Sequence, residues 1–161
     1  MTASADAWIE QNSPQNNKGT DSILKVKSQA RSDNFRALVG FQLPPTPAGC
    51  TIVSASLRIF ADSSQPQRTL EARRTLSPWT EHGVTWANQP ATELTPATVV
   101  TTSVRGYRSW SITQQARDAS ASGGALGFVV QDALEESTGV EQSFFSREKG
   151  ESPPQVVIVY G

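Results

Sequence analysis

Thr51-Ile52-Val53-Ser54-Ala55-Ser56-Leu57-Arg58-Ile59-Phe60-Ala61 decides the fold class. β-Branched and aromatic residues crowd this stretch. From Ala55 onward, Ala, Leu, Ile and Ala alternate with Ser, Arg and Phe. A period of two sends one set toward a core and the other toward solvent, which is the signature of a half-buried strand. Just upstream, Leu43-Pro44-Pro45-Thr46-Pro47-Ala48-Gly49 must be a loop, because three prolines cannot serve a central strand. Cys50, between the two, is expected to pack as a small hydrophobe where the chain enters the strand.

Similar stretches recur on both sides. Leu24-Lys25-Val26-Lys27 and Phe35-Arg36-Ala37-Leu38-Val39-Gly40-Phe41 precede it, separated by a turn rich in Ser, Asp and Asn. Residues 68–75, 99–104, 126–132, 143–146 and 155–160 follow. Short strands at this spacing, divided by Gly, Pro and Asn, point to an all-β antiparallel sandwich or barrel. Only residues 112–119 argue for helix, with Ser111 as the expected N-cap and Gly123-Gly124 as the stop. The polar stretch 133–142 reads as an exposed loop.

The chain has 161 residues, enough for one core, so residues 1–161 are taken as a single domain. A net charge of -1 excludes a global field that would draw the chain to nucleic acid or anionic lipid. No apolar run is long enough for a membrane-spanning helix. One cysteine excludes an internal disulfide, a thiolate zinc site and a CxxC redox centre. The N-terminus, Met1-Thr2-Ala3-Ser4-Ala5-Asp6, has neither the basic nor the apolar region of a signal peptide. It is expected to mark the edge of a module from a larger exported protein, which places the domain outside the cell or at its surface.

The order of the pieces carries a family resemblance. Ala5-Asp6-Ala7-Trp8-Ile9 and Asn17-Lys18-Gly19 open it, followed by Leu24-Lys25-Val26, residues 35–41 and Val53-Ser54-Ala55-Ser56-Leu57-Arg58-Ile59. The most specific element is Trp79-Thr80-Glu81-His82-Gly83-Val84-Thr85-Trp86-Ala87-Asn88-Gln89-Pro90. Phe144-Phe145-Ser146-Arg147-Glu148 and residues 154–160 close the pattern. Together they resemble the DNRLRE domain family and the related carbohydrate-binding modules found beside disaggregatases and alginate lyases. The resemblance implies a jelly-roll-like β-sandwich and, for some members, binding of acidic polysaccharide. Gln42 stands where an Asp commonly follows the Phe, so any role of that Asp does not transfer.

Trp79 and Trp86 could stack on sugar, but a segment so fixed in pattern reads as architecture that pins the 77–90 loop. Glu81 and Asn88 would then satisfy buried amides. His82, the only histidine, has no nucleophile motif beside it and is expected to be a solvated loop residue. Between positions 18 and 36, Lys18, Lys25, Lys27, Arg31 and Arg36 face only Asp21 and Asp33. Period two puts Lys25 and Lys27 on one face of their strand, with Leu24 and Val26 toward the core. Ala37, Val39 and Phe41 take the core side of the next strand. If the chain turns back over 28–34, Arg36 joins the two lysines on a shared outer face.

Like charges across a hairpin repel, so such a cluster invites an anionic partner. Solubility alone would also explain it. The resemblance favours binding, because matched positions in alginate-binding relatives are basic. The expected ligand contacts are Lys25, Lys27, Arg31 and Arg36, with Tyr160 joining from the last strand. Trp8 is added because it faces outward if Ala7 and Ile9 face inward. Arg73, Arg74, Arg105 and Arg108 are taken as ordinary surface.

No catalytic set is expected, since no paired carboxylates or activated base stand out. No cofactor is expected. A structural calcium is conceivable, but its possible donors Asp6, Asp62, Glu81 and Asp132 are scattered. The expected function is a non-catalytic module for a polysaccharide, anionic by the resemblance. The alternative is a structural, adhesive or docking module that contacts other domains or surface proteins.

Overall fold

The structure, a computed structural model, describes residues 1–161. In chain order it comprises β1 (Ala5–Glu10), β2 (Ile23–Gln29), β3 (Phe35–Gln42), β4 (Ile52–Ser63), β5 (Thr69–Arg74), β6 (Ala97–Val100), β7 (Gly106–Ser111), α1 (Thr113–Ala121), β8 (Ala125–Asp132), β9 (Thr138–Phe145) and β10 (Gln155–Tyr160). A 3₁₀ turn covers Arg147–Lys149. The alternation in β4 resolves as expected. Ile52, Ala55, Leu57, Ile59 and Ala61 are buried, while Ser56, Arg58, Phe60 and Asp62 take the opposite face.

All strand pairs are antiparallel, in the order β10-β4-β9-β2-β3-β8-β5-β6, with β1 added to β3 and β7 to β4. The link between β2 and β3 is a single bridge, Lys27 to Phe35. There the sheet turns a corner, and its two halves close on one core of 24 buried residues. Leu24, Val26, Leu57, Ile59 and Phe144 come from one half, and Val39, Phe41, Leu70, Phe128 and Val130 from the other. This is the all-β sandwich-like fold expected, with one short helix. No helix is long and apolar enough to cross a membrane.

A second, smaller cluster sits on the outside of β1, β3 and β8. Ala7, Ile9, Leu38 and Val129 meet Val84 there, and Trp79 and Trp86 pack against them. The 77–90 loop therefore acts as a lid over the β1–β3–β8 half.

Three local expectations need correction. Strand β7 does not stand out in the sequence because Arg108 occupies an inward position of its alternation. Its guanidinium is buried and donates to the carbonyls of Gly106, Thr102 and Val104. Burial without a carboxylate pushes its pKa down. It is therefore not ordinary surface. Ser111 does not cap α1: it ends β7, Ile112 is the N-cap, and no side chain caps the helix. Thr113 instead accepts the Ala55 N–H at 3.1 Å, tying the helix start to β4. Residues 138–142 are not loop but the first half of β9, paired with β2. The inward residue of that stretch is Gln142, which is buried and bonded to Ser64 and Gln65, so no apolar period betrays the strand.

Candidate functional site

The 77–90 loop is held by polar contacts as the sequence suggested. Glu81 Oε1 accepts the Asp6 N–H at 3.0 Å, and Asn88 accepts the Thr85 N–H at 2.7 Å. Asn17 donates to the carbonyls of Glu81 and Val84, both at 2.8 Å. Its neighbour Gly19 passes so close that a Cβ would lie 2.0 Å from the Glu81 carbonyl oxygen, which only glycine permits. His82 is exposed, with a 3.5 Å contact to Glu81 and no other ion-pair partner.

The basic hairpin is arranged differently from expectation. Because the sheet turns its corner between β2 and β3, Lys27 registers with Phe35, and its Nζ lies 3.8 Å from that ring centre. Arg36, the next residue, points to the opposite face of β3 and sits 4.4 Å over the Trp86 ring. The lysines and Arg36 do not share a face.

Lys27 is neutralised by Asp33 at 2.9 Å. Arg36 makes a two-pronged contact with Glu135 at 2.9 and 2.7 Å and a third with Gln89 at 2.9 Å. Trp8 does not face solvent. It is 5% exposed, packed against Phe35 with tilted rings 4.9 Å apart, and bonded through Nε1 to Asp21 at 3.0 Å. Tyr160 is half-buried against the main core on β10 and registers with Ile52, far along β4 from the hairpin. Lys25 Nζ lies 5.3 Å from the Trp8 ring centre and has no acidic partner within 4.0 Å. Arg31 is exposed in the turn at φ 65°.

The cations without carboxylate partners mark a different surface. Arg73, Arg74 and Arg105 are paired with Glu71, Glu93 and Asp62, and Arg68 grips buried Asp132. Arg117 donates to the Ile52 carbonyl. Lys25, Arg58 and Lys149 meet no acid, and all three lie on the outer face of the β7–β4–β9–β2 half.

An aromatic group underlies them. Phe60 stacks on Phe145 at 5.0 Å and meets Tyr107 edge-on at 5.3 Å. Arg58 lies 4.3 Å over Tyr107, Arg105 lies 5.0 Å over Phe60, and Lys149 lies 5.1 Å over Phe145. Lys25 registers with Ser143, which shares its face with Phe145. Cations set over rings are held in place while N–H groups not otherwise bonded can meet an anion.

An open cleft of about 550 Å³ lies on the other half of the sandwich, between Ser4, Thr75, Ser77 and Trp79. Gly40 and Gly127 are register partners and form its floor. Trp79 lies across both: a Cβ on Gly40 would be 3.1 Å from Trp79 Cζ2, and one on Gly127 would be 3.0 Å from Nε1. Much of the indole face is therefore spent on packing.

The sequence missed Arg58, Tyr107 and Lys149. Arg58 was visible as an outward residue of β4, but nothing in the sequence set it beside Tyr107 of β7 or Phe145 of β9.

The family model described as carbohydrate-binding module family 96 matches residues 1–160. No curated protein matches the chain.

Proposed function

The chain belongs to carbohydrate-binding module family 96, and we propose that its ligand is an acidic, uronate-containing polysaccharide held on the outer face of the β7–β4–β9–β2 half. Membership of the family makes it a non-catalytic carbohydrate-binding module. The acidic preference rests on one observation: Lys25, Arg58 and Lys149 share this face and none has a carboxylate within 4.0 Å. Eight of the 14 Lys and Arg side chains are already paired with a carboxylate, so three unpaired ones set over aromatic rings on one face supply sites for an anion.

A run of carboxylates along a uronate chain matches cations spread across a sheet. Arg58 offers a fork to one carboxylate, and Lys149 and Lys25 offer point charges to others. Arg31 extends the basic strip beyond the end of β2. Of the other expected contacts, Trp8 acts from beneath Lys25, Lys27 is taken up by Asp33 and the Phe35 ring, and Arg36 and Tyr160 lie elsewhere. The DNRLRE likeness of residues 79–90 and the company such modules keep with alginate lyases support the same reading. They also support a host protein that is exported or displayed at the cell surface.

Affinity electrophoresis tests the ligand class. Mobility retarded in alginate or pectate gels, unchanged in gels of neutral glucans, and restored by salt is the expected result. Unchanged mobility in every uronate polymer would remove the acidic preference. A docking role has its own support in Val157 and Val159, 44% and 50% exposed on β10. Self-association in light scattering together with an empty glycan array would favour that reading.

A further inference from the structure

Asp6 of β1, Glu81 of the 77–90 loop and Glu148 of the 3₁₀ turn bring one carboxylate oxygen each to within 4.8 Å of one another. Asp6 is 1% exposed. Its Oδ2 accepts the Arg147 N–H at 2.8 Å, whereas its Oδ1 is buried and meets no donor at all. Clustered surface acids are ordinary, but a buried carboxylate oxygen without a donor is not. It has lost water and gained nothing in return. A cation placed between the three carboxylates would resolve that arrangement. Burial pushes the Asp6 carboxyl up to about 8, opposed by the Arg147 N–H and reinforced by Glu148 and Glu81.

We propose that Asp6, Glu81 and Glu148 hold a hard divalent cation of calcium's size, which ties β1, the 77–90 loop and the 3₁₀ turn together. The donor set decides the class of ion. All three ligands are carboxylate oxygens, which suit calcium or magnesium rather than a metal that seeks thiolate or imidazole. Calcium accepts irregular geometry and takes roughly six to eight oxygens, and water can reach the site past exposed Glu148 to complete the shell. Magnesium demands a tight octahedron that side chains from three separate elements do not readily supply. The charged partners now on Glu81 can yield, because Arg147 and His82 are exposed and reach it only at 3.2–3.5 Å, while the Asp6 N–H at 3.0 Å can stay on Oε1. Of the four scattered acids considered in the sequence, Asp62 and Asp132 are bound to Arg105 and Arg68. Asp6 and Glu81 are the two that meet.

Terbium luminescence tests the site on the intact, EDTA-treated protein. Trp8 lies two residues from Asp6 on the same face of β1, about 7 Å along the strand, close enough to sensitise a bound lanthanide. Tryptophan-excited terbium emission should saturate, and calcium should displace it. Calcium should raise Tm more than equimolar magnesium does. Glu148→Gln, an exposed position, should weaken terbium binding roughly tenfold or more while melting near wild type in EDTA. Absence of both sensitised emission and a calcium-dependent Tm would overturn the site. So would a Glu148→Gln variant that binds like wild type. Magnesium matching calcium would overturn the choice of ion.

Discussion

Arg58 and Tyr107, on neighbouring strands β4 and β7, are packed with the guanidinium carbon 4.3 Å from the ring centre, and Gln155 rather than an acid takes one of the guanidinium N–H groups at 3.2 Å. The ring fixes the arginine and leaves part of its fork unsatisfied. This distinguishes Arg58 from Arg36, whose fork is closed on Glu135.

Arg58→Ala should therefore weaken uronate binding by about tenfold, the loss of roughly one charge-assisted contact at about 1.5 kcal/mol, with little change in Tm. Arg58→Lys should restore part of the affinity, since a point charge replaces the fork. Titration calorimetry with an oligouronate measures both.

Arg36→Ala should do the reverse. It strands Glu135 and uncovers Trp86, so a loss of about 1–3 kcal/mol in stability is expected, read by chemical denaturation. Affinity for polysaccharide should stay at the wild-type level.

Gly127→Ala should disturb the Trp79 lid. The new methyl would sit 2.6 Å from Thr75 Oγ1 and 3.0 Å from Trp79 Nε1, and β8 is too firmly paired to retreat. A cost of about 1–3 kcal/mol is expected from such overpacking, together with a change in tryptophan fluorescence.

Stability in EDTA should fall as pH rises through the neutral range. Asp6 has an ordinary carboxylate value of 3.8 in the open chain and about 8 when folded. Between these limits the native state holds a proton that the unfolded state has released, so stability declines with rising pH by up to about 1.4 kcal/mol per unit and levels off above pH 8. The groups that act on Asp6 are Glu81 from the loop and Arg147 and Glu148 from the turn, with His82 touching Glu81 alone. Thermal melts across the range, repeated with Asp6→Asn, check this: the variant should show a flatter profile.

How much of this was legible depended on whether side chains announced their partners. The β4 alternation, the proline loop at 43–49 and the Trp79–Trp86 segment spoke through local rules, and the all-β fold followed from them. β7 and the first half of β9 were hidden because Arg108 and Gln142 fill inward positions that an apolar residue usually holds. The basic hairpin was visible as charge but not as geometry. The corner between β2 and β3 sent Arg36 to the other face, and the acids that neutralise Lys27 and Arg36 reside in the turn and in the 133–137 loop. Arg58, Tyr107 and Lys149 are up to 91 positions apart, and only strand order joins them. The same is true of Asp6, Glu81 and Glu148.

The most direct test is titration of oligouronate into wild-type protein and into a Lys25→Ala, Arg58→Ala, Lys149→Ala variant at low and high salt. Wild type should bind, weaken as salt rises, and lose that binding in the triple variant while its melting stays cooperative. A folded triple variant that binds with wild-type affinity and the same salt dependence would contradict the account.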